Sequence, residues 1–339
     1  MTDPSGPATP TQGQTAQSPA ARRLRGGGER SMVPPGQPRS YYGEPVVAKP
    51  VWTPEIPVYF FTGGICGASL PLSLLASLRG NDALAQRAAA VGLGMAAVSP
   101  VLLISDLGRP ARFLNMLRMF KVTSPMSVGS WILVATSGCA TLGAARELLG
   151  ILPRAGRAGQ WASLALGPAL STYTAALIAN TAIPAWHDAG DELPFVFAAT
   201  SAATAGALAA AVTPVAHTAP ARRLAVGGAL AQLALLELME KRLGPLVGEP
   251  YRHGVPRQLG RAAKGLTAAG AIALAAARGR RSRLVAGAVA LLAGGMAERS
   301  AIFRAGFASA ADPRYTVGPQ RERLRANGGR PTRSARGDG

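Results

Sequence analysis

Five carboxylates in this chain stand at the edges of apolar runs, where an ionisable side chain is costly and so a candidate for chemistry. Glu55 opens the first run and Asp106 closes the second. Glu237 and Glu240 fall in the last turns of the sixth, and Glu298 lies near the end of the eighth. Glu237 and Glu240 are three residues apart, which puts them on one face of a helix. Following the chain through its crossings places all five on the side that carries both termini, the terminal face. Carboxylates gathered at one membrane depth suit proton exchange, because partial desolvation tunes a carboxyl to accept and pass on protons. Arg109, Lys241, Arg299 and Arg304 are near enough in sequence to pair with some of them. The densest run of special residues is SDLGRPARFLNM, Ser105–Met116. Gly108 and Pro110 break the helix there, and Asp106 and Arg109 flank the break. Such a break frees backbone groups that can face a ligand; the plainer alternative is an interfacial turn with a local ion pair.

The elements that position these groups are apolar blocks about twenty residues long, the length that crosses a bilayer as a helix. The expected spans are Pro57–Leu78, Ala85–Ser105, Ser127–Ala145, Gln160–Ile183, Pro194–Val212, Leu224–Leu243, Leu259–Ala277 and Leu284–Phe303. Arg261 and Lys264 intrude on the seventh and could snorkel to the interface. Trp52, Tyr59, Phe60 and Phe61 sit like an interfacial aromatic belt. Gly, Ala, Ser and Thr are dense in the blocks and let helices approach closely. The fold class is therefore an all-α integral membrane protein, a bundle of eight transmembrane helices over residues 51–306. A disordered polar head, 1–50, precedes it, and a polar, Arg-rich tail, 307–339, follows. Lysines and arginines are nearly balanced between the two faces, which leaves the orientation undecided.

Composition agrees. Of 339 residues, 48% are hydrophobic and only 16% charged, where a soluble domain carries about a quarter. The formal net charge of +19 first suggests nucleic acid, but the basic residues cluster in the head, the tail and the short loops between apolar blocks, where arginines meet lipid headgroups. No secretory h-region precedes the first span. Cys66 and Cys139 are isolated within apolar blocks and cannot hold an iron–sulfur cluster. The three histidines, His187, His217 and His253, fall in loops or at a span's edge, away from where a bis-histidine haem needs them. No glycine-rich phosphate loop or metal-ligand motif is present. The expectation is a chain with neither haem nor iron–sulfur cluster of its own.

Three stretches resemble a known family. YYGEPVVAKPVWTPEIPVYFFTGGICGAS (Tyr41–Ser69) is similar to the opening of the NrfD/polysulfide reductase membrane-subunit family. SPVLLISDLGRPARFLNMLRMFKVTSPMSVGSW (Ser99–Trp131) is similar to its central signature, and FRAGFASAADPRYTVGPQRER (Phe303–Arg323) to the ending of its shorter members. Residues 150–297 match only in span count and apolar character. The resemblance implies a multi-pass subunit in the cell's inner (cytoplasmic) membrane that binds a quinone or quinol, menaquinone or ubiquinone. It would exchange electrons with a four-cluster, ferredoxin-like iron–sulfur subunit, itself paired with a molybdopterin catalytic subunit. Carried onto this chain, it makes Asp106 the proton acceptor and Arg109 its orienting partner, with Glu237 a second proton-path candidate. Glu55 and Tyr59 would line the pocket from the first helix, and Ser130 and Trp131 from the third. A proton-coupled secondary transporter and a purely structural anchor are the alternatives; no repeated halves of the kind transporters show are visible.

Overall fold

A computed structural model of the chain describes residues 45–107 and 112–326. The disorder expected of the head up to residue 44, and everything beyond 326, fall outside that range. The described residues hold eight long helices: α1 Glu55–Leu78, α2 Asp82–Asp106, α3 Pro125–Leu149, α4 Pro153–Ala179, α5 Leu193–Val212, α6 Ala219–Arg242, α7 Gly254–Ala275 and α8 Arg281–Ala311. Short helices punctuate the loops, and one more, Arg314–Ala326, follows α8 within the polar tail. Six of the eight, all but α6 and α7, are long and apolar enough to cross a membrane. Charges hold the other two back: Arg222, Arg223, Glu237 and Glu240 in α6, and Arg257, Arg261 and Lys264 in α7.

The helices overrun the expected spans because charge at a helix end does not stop a helix. α4 starts at Pro153 rather than residue 160, taking in Arg154 and Arg157, and ends at Ala179, four residues before the expected end, while Ile183 is extended ahead of Pro184. α8 runs to Ala311, eight residues past the expected end, carrying Arg304 with it. Local chemistry sets the starts and stops. The Asn81 side chain caps α2 by accepting from the Leu84 amide at 3.2 Å, and Ser124 caps α3 by accepting from the Ser127 amide at 3.4 Å. Gly150 closes α3 with φ 67°, the left-handed conformation that only glycine adopts freely.

Small residues bring the helices together. A Cβ built on Gly270 in α7 would lie 2.8 Å from the Gly287 carbonyl of α8, and one on Gly287 would lie 3.0 Å from the Gly270 carbonyl. Each glycine therefore admits the other's backbone. Of those six, α1 is the most enclosed, with 72% of its apolar window buried, against 28% for α2, which faces outward. Hydroxyls stitch α1 to its neighbours: Ser99 donates to Thr62 at 2.9 Å, Ser73 to the Ala85 carbonyl at 2.8 Å and Ser171 to the Gly64 carbonyl at 3.3 Å.

Contacts between loops show which ends lie together. Asn81 Nδ2 donates to the His217 carbonyl, Arg222 to the Leu274 carbonyl and Arg281 to the Thr213 carbonyl, all at 2.8–3.0 Å. The loops α1–α2, α5–α6 and α7–α8 thus form one face. At the terminal face, Arg242 bonds Glu192 at 2.5 Å and also meets Asp191. The Tyr251 hydroxyl, buried there and so held above its ordinary pKa, donates to the Ala185 carbonyl at 2.9 Å.

Candidate functional site

The terminal ends of α1, α2, α3 and α4 enclose a narrow cleft of about 40 Å³ open volume. Its walls are mostly apolar and soft: Trp52, Ile56, Phe60, Leu103, Met116, Met126 and Leu177. Four polar side chains reach it, those of Asp106, Tyr59, Tyr173 and Ser130. Asp106 is the last residue of α2. The Thr53 amide donates to its Oδ1 at 3.0 Å and the Thr53 hydroxyl donates to the same oxygen at 2.6 Å. One carboxylate oxygen is thereby fixed by the segment leading into α1, and no described residue donates to the other. Tyr59 is 1% exposed and its hydroxyl meets that of Tyr173 from α4. Ser130, equally buried, donates back to the Ser127 carbonyl at 2.8 Å and leaves its oxygen lone pairs available. Trp52 stacks on Trp186, centroids 5.6 Å apart, and Trp186 Nε1 donates to the Ile302 carbonyl at 2.7 Å. The lip of the cleft is thus anchored on α8.

Three of the seven residues singled out from the sequence, Asp106, Tyr59 and Ser130, converge on this cleft from three helices. Arg109 lies outside the described residues. Glu55 is exposed at the start of α1 and Trp131 is 39% exposed with its ring edge-on to Phe120, so neither lines the cleft. Glu237 is also away from it. Its side chain is 54% exposed and pairs with Lys241 and Lys264, both at 3.5 Å, which makes it a solvated partner of surface lysines. Two participants were not anticipated. Thr53 gave no signal, because its role depends on a contact 53 residues away in sequence. Tyr173 did give one: it is the sole tyrosine of the fourth apolar block, and a phenol inside a span needs a partner.

A second polar cluster lies deeper, in the other half of the bundle. Glu298 and Arg299, with side chains 2% and 1% exposed, pair at 3.3 Å. Glu298 also accepts from Gln232 Nε2 at 3.2 Å and from Thr200, while Arg299 donates to the Phe197 carbonyl at 2.9 Å and lies 3.5 Å above the Phe197 ring. These bonds tie α5, α6 and α8 together. No group of three His, Cys, Asp or Glu side chains fit to hold a metal occurs among the described residues.

A helical membrane protein whose first four helices close on a carboxylate, two phenols and a serine is what the fold and site define. The sequence profile of the polysulphide reductase NrfD family matches residues 45–247, well over half of the chain and all four helices of the cleft. The chain belongs to that family, whose members are membrane subunits of quinone-linked oxidoreductase complexes. No curated protein matches the chain.

Proposed function

We propose that this chain is the quinone-reactive membrane subunit of a respiratory oxidoreductase, all eight long helices crossing the inner membrane, and that the cleft at Asp106 is where quinone or quinol reacts. The observation that carries the reading is the Thr53–Asp106 clamp facing the Tyr59–Tyr173 pair inside an aromatic and thioether wall. The donor set fits a quinone head: the phenols can donate to a ring carbonyl, the carboxylate can take a proton from a ring hydroxyl, and the apolar wall suits the ring face. The open volume admits a water-sized group as it stands, so ring entry displaces side chains, and Met116 and Met126 are the adaptable ones.

A bound quinol would supply two electrons and two protons per turnover. The chain's own part is protonic and positional. Thr53 holds Asp106 in place, Asp106 takes a proton at its unclamped oxygen, and Tyr59 and Tyr173 fix the ring. Electrons would be exchanged with a partner, a ferredoxin-like iron–sulfur subunit paired with a molybdopterin enzyme, and that partner docks at the terminal face because the cleft opens there.

The test is fluorescence quenching of a hydroxyquinoline-N-oxide inhibitor by the purified chain. Saturable binding is expected, weakened about tenfold or more in Asp106→Asn, since a hydrogen bond to a charged group contributes about 1.5–3 kcal/mol, and about three- to tenfold in Tyr59→Phe, where a neutral one contributes about 1 kcal/mol. Unchanged affinity in both variants, with the protein folded, would move the quinone site elsewhere.

A further inference from the structure

A much larger cavity than this cleft lies elsewhere in the bundle. It is a groove of about 470 Å³ at the opposite face, walled by α1, α4, α5 and α6, within the range of about 300–1,000 Å³ usual for small-molecule sites. No carboxylate lines it. Its floor on α1 repeats at helical spacing, from Gly67 through Pro71, Leu72 and Leu75 to Arg79. Twelve residues at 1.5 Å each make that stripe about 18 Å long, which is the scale of an acyl chain running from the membrane surface toward its midplane. The buried end is apolar and small-walled. The mouth is cationic: Arg79 just past the end of α1 and Arg223 in the second turn of α6 both line it, both are exposed, and neither guanidinium bonds to any described residue. Neighbouring Arg222 and Arg281 differ, since backbone carbonyls occupy their guanidinium groups. Asn81 fixes the rim, because its side chain accepts from the Leu84 amide and donates to the His217 carbonyl. The two arginines thus stand at helix ends whose loops are already joined.

We infer that this groove is a binding site for an anionic phospholipid, the phosphate held by Arg79 and Arg223 and one acyl chain laid along α1. The sign of the surrounding face agrees. Its loop regions, residues 79–87, 146–157, 213–223 and 278–283, carry eleven arginines against two carboxylates, Asp82 and Glu147. A zwitterionic lipid such as phosphatidylcholine would bring its choline cation to the pair of guanidinium groups along with its phosphate, and a quinone's isoprenoid tail would leave them unused.

The measurement is native mass spectrometry of the full chain released from mixed micelles containing phosphatidylglycerol and phosphatidylcholine of matched acyl chains. Wild type is expected to retain phosphatidylglycerol at least fivefold over phosphatidylcholine. Arg79→Gln/Arg223→Gln should lose that preference, while Arg87→Gln/Arg283→Gln, which removes two arginines of the same face outside the groove, should keep it. Ala202→Trp, which fills the groove and leaves the arginines, should lose retention of both lipids. Equal retention of the two lipids by wild type would overturn the inference, as would equal loss in the two double variants, which would mean surface charge alone. Displacement of phosphatidylglycerol by decylubiquinone would give the groove to a quinone instead.

Discussion

At the residue scale, the deciding contacts are those a buried or half-buried polar atom makes with a distant segment. Asp106 was conspicuous in the sequence because it ends an apolar run, but Thr53, which holds it, was not. Thr53→Val keeps the backbone donor and removes the hydroxyl one, so inhibitor binding should weaken by about three- to tenfold, in line with about 1 kcal/mol for one hydrogen bond. The variant should fall between wild type and Asp106→Asn in a titration. Glu298 and Arg299 pose a different question, because a charge pair enclosed by apolar helices costs most when one partner is removed. Arg299→Met should destabilise the chain by about 3–5 kcal/mol, and Glu298→Gln/Arg299→Met by less, although it changes more atoms. Unfolding in detergent, followed by circular dichroism, compares the two. A double variant worse than the single one would mean that the guanidinium does more than balance Glu298. The sequence showed both residues near the end of an apolar run, but not that they face inward, because neighbouring charges on one helix read equally well as a solvated pair.

At the element scale, α6 and α7 interrupt shorter apolar runs with charges, whereas six of the long helices were legible because some twenty apolar residues leave a chain in lipid few other options. Their ends were not. A search for charge-free windows stops at Arg154, Arg157 and Arg304, whereas α4 and α8 continue through them, since helix formation depends on backbone bonding and the arginines reach past the apolar zone. Helix contacts were legible in kind and not in position: abundant glycine forecast close packing, but only the fold shows that Gly270 meets Gly287. That crossing makes a sharp prediction. Gly270→Leu would drive a side chain into the Gly287 carbonyl and Leu291, and α7 and α8 would have to separate. The variant should lose well over the about 1–3 kcal/mol typical of overpacking, because backbone rather than a side chain must yield. Gly265→Leu, on the same helix with nothing within 4 Å of its Cβ, should leave the unfolding transition in place. Equal losses would mean that glycine's role in α7 is conformational and not a matter of contact.

At the scale of the whole molecule, the two faces divide the labour by charge. Most carboxylates at the helix ends lie on the terminal face, among them Asp106, Asp191, Glu192, Glu240 and Glu249, while the opposite loops carry only Asp82 and Glu147 among their arginines. If the cleft is the quinone site proposed above, an electron-transfer partner has to come close to it, since no group of three His, Cys, Asp or Glu side chains fit to hold a metal lies among the described residues. On that reading the terminal face is the docking face, and the segment between the short helix Arg112–Arg118 and α3 is an exposed part of it. Met119 is 71% exposed there, and its carbonyl accepts from Ser127 Oγ at 3.0 Å, one turn before Ser130 in the cleft. A photo-crosslinking amino acid at position 119 should therefore capture the co-expressed iron–sulfur subunit. The same residue at position 151, 51% exposed on the opposite face, should not. Capture from position 151 alone would separate the partner from the Asp106 cleft by the thickness of the bundle. The quinone would then have to react at the cationic face, and the phospholipid groove and the quinone site would compete for the same end of the molecule.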